Sequence, residues 1–210
     1  MIRERYLSAA RTGLSLLAHE SVAGRWAEPS ALAGFTVGGL ATHLSQQVTS
    51  VTAALAADHA GKEVIGLYEH YDRAAWLAAD IDNDYNTGIR DGGERAAEAG
   101  HGPVLAEAVA ALEALERLLP GNPPGTVSGN PRWPYATPLG DFLRTRILEL
   151  VVHADDLAVS VGVATPEFAP ETFEIATCIL ARLAAKRHGQ ASLVRALARA
   201  ERAPASISAL

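Results

Sequence analysis

PLGDFLRTRILELVVHADDLAVSVG, residues 138–162, has no Gly or Pro between Asp141 and Val161. Its apolar residues Leu143, Ile147, Leu150, Ala154, Leu157 and Val161 recur at helical spacing, which predicts one long helix. At about 100° per residue, Phe142, Arg146, Glu149, His153, Asp156 and Ser160 project from one narrow stripe. Leu150 and Leu157 flank the stripe on one side, with Leu148, Val152 and Val159 on the other, so it points inward. The solvated edge falls near Arg144 and Asp155. An unpaired carboxylate there is costly, so Glu149 needs compensation. An ionic network supplies it if Glu149 pairs with Arg146 and His153 bonds Asp156. A divalent metal also supplies it, because side chains at i and i+4 converge on one ion.

A third ligand would have to come from another helix. FTVGGLATHLSQQVTSVTAALAADHA, residues 35–60, predicts a helix capped by Thr36 and running to about His59. Phe35 and Leu40 hold the positions of a hydrophobic staple. Leu44, Val48, Val51 and Leu55 form the apolar stripe, with His43, Gln47 and Ser50 at its edge. His43 therefore faces a partner helix. Taken alone, it reads as a core histidine bonded to a backbone carbonyl or a serine.

The rest of the chain reads as more helices. The first covers about residues 3–21, and a loop with Gly24, Trp26 and Pro29 leads to the His43 helix. Further segments cover about 64–99, interrupted near 83–86, and 103–119. Residues 119–140, dense in Pro and Gly, read as a loop within one domain spanning 1–210. Helices at about 171–188 and 192–202 close the chain.

Of the 210 residues, 49% are hydrophobic and 20% charged, enough for one substantial core. Only 6% are aromatic, which favours close-packed helices over a β-rich fold. The net charge of −6 and the lack of a basic cluster argue against nucleic-acid or anionic-membrane partners. No apolar run reaches the roughly 20 residues needed to span a bilayer. Residues 1–21 alternate in charge and carry an amphipathic stripe instead of a signal-peptide block, so a cytoplasmic location is expected. The single cysteine, Cys178, is expected to be buried among Ile175, Ile179 and Leu183. Thiol chemistry would then need a thiol from outside.

Other motifs carry less. Residues 80–91 imitate the start of an EF-hand loop, but Tyr85 replaces the turn glycine and Asp91 the bidentate glutamate. His19, His59, His70, His101 and His188 fall near helix ends or loops, where exposure or capping is the default. No phosphate-binding glycine motif occurs.

GLATHL around His43, RTRILELVVHADDLAVSVG around Glu149 and His153, and the tail RHGQASLVRALARAER from Arg187 to Arg202 together resemble the mycothiol-dependent maleylpyruvate isomerase family. That family belongs among the DinB-like four-helix-bundle metal enzymes. The resemblance implies an all-α, DinB-like four-helix bundle with additional short C-terminal helices. It also implies one divalent metal, most often Zn2+, on His43, Glu149 and His153. Three protein ligands leave an open position, as in catalytic sites. The resemblance further implies mycothiol, the small thiol of actinobacteria, as cofactor or co-substrate. The expected activity is an isomerase or S-transferase acting on a small electrophile such as maleylpyruvate. Asp156, Arg146 and Gln47 are expected beside the ligands, and Arg90 and Arg195 are candidate substrate contacts. Two rival readings are a non-catalytic helical binding protein with a buried ionic stripe and a metal-dependent hydrolase using bound water. The sequence leaves monomer and homodimer equally open.

Overall fold

The computed structural model describes residues 1–74 and 84–210. In chain order the described helices are α1 (Ile2–Leu17), α2 (Glu20–Gly24), α3 (Val37–Ala56), α4 (Leu67–Asp72), α5 (Asp84–Ala97), α6 (His101–Leu118), α7 (Leu139–Val161), α8 (Pro170–His188) and α9 (Gln190–Ala198). The long helices α1, α3, α6 and α7 pack on one another as a four-helix, all-α bundle of DinB-like type. Helix α5 lies along α3, α8 lies along α7 and α1, and the short α9 packs on α8.

The apolar stripes explain the assembly. Leu143, Ile147, Leu150, Ala154 and Leu157 of α7 are fully buried. They meet Leu40, Leu44, Val48 and Val51 of α3 and Leu14 and Leu17 of α1 in one cluster. Each buried Leu or Val contributes roughly 1.5–3 kcal/mol. Gly13 lets α1 approach α7, since a Cβ there would lie 3.1 Å from Leu150 Cδ2.

Both site-bearing helices have defined ends. The Thr36 hydroxyl accepts the Gly39 N–H at 2.9 Å and caps α3. Helix α7 stops at Gly162, whose φ of 71° is left-handed, with the Val163 N–H reaching back to Ala158 O.

The structure corrects several expectations. The first helix ends at Leu17, and His19 caps the separate α2 through its side chain. Helix α3 stops at Ala56, short of His59. The Pro/Gly-dense stretch is more than a loop. It holds β2 (Val127–Ser128) and β3 (Tyr135–Pro138), and with β1 (Glu63–Val64) they form a sheet of order β1-β3-β2. β1 runs parallel to β3, with Glu63 opposite Tyr135, and β2 runs antiparallel, with Ser128 opposite Thr137. Cys178 is exposed, because the packing face of α8 runs through Thr172, Ala176, Ile179 and Leu183 and leaves it off that face. Val159 is 60% exposed, so one flank of the α7 stripe opens to solvent. His59 and His70 are buried, not exposed. The interruption near 83–86 and the EF-like stretch 80–91 fall partly outside the described residues. Among those residues, no helix is long and apolar enough to cross a membrane.

Candidate metal centre

Helices α3 and α7 pack side by side and bring His43 against His153, with ring centroids 4.7 Å apart and planes at 77°. Glu149 stands one turn before His153 on α7. One ligand atom from each of His43, Glu149 and His153 lies within 4.8 Å of the other two. Tetrahedral ligands at about 2.1 Å from one ion would sit roughly 3.4 Å apart, so small side-chain rotations close the group. His153 Nε2 and Glu149 Oε2 are already 3.1 Å apart. The side chains of His153 and Glu149 keep 13% and 17% of their surface exposed.

Among the described residues His43 has no side-chain hydrogen-bond partner, and its Nδ1 is buried. The carbonyl or serine partner expected for a core histidine is therefore missing. An unsatisfied imidazole beside a second imidazole and a carboxylate fits a soft-to-borderline divalent ion.

The electrostatics follow from this packing. Burial, and then the positive charge of His153, push the His43 pKa down to about 3, so its ring is neutral. Burial works to raise Glu149, but the His153 hydrogen bond and the charges of His153, Arg146 and His43 outweigh it, to about 2. Burial works to lower His153, but hydrogen bonds to Asp156 and Glu149 prevail and hold it at about 9. The last two shifts share the His153–Glu149 ion pair, to which Asp156 adds at His153 and Arg146 at Glu149.

A family model, the mycothiol maleylpyruvate isomerase N-terminal domain, matches residues 7–158, a span that contains His43, Glu149 and His153. The chain belongs to that family. No curated protein and no solved structure matches it.

Around the three residues of this mycothiol maleylpyruvate isomerase-family domain, Asp156 Oδ2 lies 3.0 Å from His153 Nδ1. With that nitrogen donating, Nε2 is turned toward Glu149. Arg146 does not pair with Glu149 or Asp156. Its Nη1 donates to Gln47 Oε1 at 2.6 Å and its Nε to Thr145 Oγ1 at 3.1 Å. Gln47 in turn donates to the His43 carbonyl at 2.8 Å, so it bridges α3 to α7 one turn from the ligands. Arg90 lies on α5 beside the loop at Gly34 and donates to Thr87. Arg195 is exposed on α9 and joins none of the three residues by a hydrogen bond or ion pair.

Sequence reasoning missed three features. Glu94 of α5 accepts the Thr36 N–H at 2.8 Å and its hydroxyl at 2.9 Å, which pins the start of the His43 helix. No local signal marks a cap partner so distant. Ser160 accepts the Ala31 N–H at 2.8 Å and ties the preceding loop to α7. The third is an aromatic group. Buried His70 lies 3.0 Å from the Tyr135 hydroxyl and stacks on Trp133 at 4.5 Å. The two aromatic residues Trp133 and Tyr135 shortly before α7 were its available sign.

Proposed function

We propose that this chain is a metal-dependent, mycothiol-dependent isomerase or S-transferase acting on a small electrophile such as maleylpyruvate. The observation that carries the reading is a histidine-glutamate-histidine group converging within 4.8 Å, one member of which has a buried nitrogen without a partner among the described residues. His43, Glu149 and His153 would hold the ion, with Zn2+ the metal best matched to that donor set. When bound, such an ion supplies a Lewis acid that deprotonates a thiol at neutral pH.

The chain's own residues do the rest. Asp156 holds the Nδ1 hydrogen of His153 and so presents Nε2. Glu149 would offset part of a bound divalent ion's charge and leave a net positive site for a thiolate. Gln47 fixes the Arg146 guanidinium one turn away. The small exposed faces of Glu149, His153 and Asp156 give a thiol and an electrophile access from solvent. The thiol comes from outside, since Cys178 lies on α8 and not beside these residues. The location in this reading is the cytoplasm of a mycothiol-producing cell.

One observation favours a second reading. Glu149, His153 and Asp156 satisfy one another without an ion, as a structural ionic stripe in a binding protein would. Turnover tests separate them. Conversion of maleylpyruvate that requires both mycothiol and a chelatable metal supports the isomerase. Hydrolysis of an activated ester without added thiol would instead assign the site to a hydrolase.

A further inference from the structure

The three candidate ligands are not held alike. Asp156 fixes His153 at Nδ1 and His153 fixes Glu149, at 3.0 and 3.1 Å, and both contacts lie within α7. His43 comes from α3, and its ring has no hydrogen-bond partner among the described residues. Its ring neighbours are Phe35 and His153, with centroids 6.0 and 4.7 Å away. The place of that ring is therefore set by where α3 lies against α7. Gln47, 2% exposed, ties the two helices. Its Oε1 accepts Arg146 Nη1 at 2.6 Å, the one side-chain hydrogen bond from α3 to α7 among the described residues. Its Nε2 donates to the His43 carbonyl at 2.8 Å, and its own carbonyl accepts the Tyr6 hydroxyl of α1 at 3.1 Å. Arg146 is fixed in turn, with Nε donating to Thr145 Oγ1 at 3.1 Å and the Phe142 ring 5.2 Å from its guanidinium carbon. Helical rise puts Gln47 about 6 Å from His43 along α3 and Arg146 about 4.5 Å from Glu149 along α7. The tie is thus a charge-assisted hydrogen bond between two held side chains, one turn from the ligands.

We propose that Gln47 and Arg146 are positioning residues that hold α3 where His43 can share one ion with Glu149 and His153. The assignment rests on the metal reading of those three residues and adds what brings the α3 ligand to the α7 pair. Charge and position make opposite demands here. The Arg146 charge acts on both His43 and Glu149. By charge alone it repels a divalent ion, so its removal would tighten metal binding. By position its removal frees Gln47, lets α3 shift against α7 and weakens metal binding. The sign of the change in zinc affinity therefore separates the two effects.

The test is zinc affinity, measured by competition with a chelating dye on the full chain. Gln47→Met and Arg146→Met each weaken it about tenfold or more, the range for groups that orient metal ligands. The double variant binds zinc no worse than Gln47→Met, because both changes break one bond. Arg146→Lys, which keeps the charge and a donor for Gln47, recovers part of the loss. Leu17→Ala lowers stability yet keeps wild-type affinity, which separates positioning from general weakening of the fold. Unchanged or tighter binding in either Met variant, additive losses in the double variant, or an equal loss in Leu17→Ala would overturn the assignment. A wild type that takes up no zinc refutes the metal reading instead. The tie is then decided in metal-free protein by the proton NOE between the His43 and His153 rings. That signal persists in wild type and Leu17→Ala and is lost in both Met variants, and equal signals in all four would overturn the positioning role.

Discussion

His153 is held between two carboxylates, 3.1 Å from Glu149 and 3.0 Å from Asp156. Its pKa in the folded, metal-free protein is raised from 6.5 to about 9. A raised folded pKa contributes stability that is complete below pH 6.5 and lost as pH rises through about 9. In metal-free protein, His153→Gln should therefore unfold several degrees below wild type near pH 6, and the gap should close by about pH 10. Thermal unfolding across pH measures it, and a constant gap would contradict the ion pair. The same proton must leave when His153 ligates an ion. Zinc added at pH 7.5 should release about one proton per ion from His153, and almost none at pH 10. A weakly buffered titration reads this directly. The expected Arg146–Glu149 bridge fails for a reason no sequence shows. Gln47, from another helix, lies 2.6 Å from Nη1 and takes that donor.

Helix α3 delivers His43, and its start is fixed by Thr36 and Glu94 acting together. Thr36→Ala should cost about 1 kcal/mol. For a chain of this length that is a fall of about 2–4 °C in Tm. Gly39→Ala should be at least as harmful, since its Cβ would lie 2.0 Å from Glu94 Oε1 and expel the cap. Both are checked by thermal melts, with no change expected at Gly24, where added Cβ meets nothing. The two site helices were legible in the sequence because their apolar stripes repeat over many turns. β2 was not, because a strand of two residues has no alternation to read. Cys178 misled because apolar neighbours in sequence do not share its face of α8.

At the scale of the whole molecule, the bundle core and the site are separable. Leu17 is fully buried on α1, a helix that carries none of the three candidate ligands. Leu17→Ala should lose about 2–5 kcal/mol by denaturant unfolding while bound metal per chain stays unchanged. The three candidate ligands could be named from spacing and family resemblance, yet their surroundings could not. His70, the unsatisfied His43 and the Gln47 bridge all depend on how α3, α4 and α7 meet. Everything functional proposed for this domain depends on those helices gathering one divalent ion.

The measurement that tests this most directly is bound metal per chain in purified wild type, His43→Ala and Glu149→Ala, each reloaded with zinc. About one ion per wild-type chain, lost in both variants while their helical signal persists, is the predicted result. No ion on wild type after zinc loading, or equal metal in all three proteins, would contradict the account.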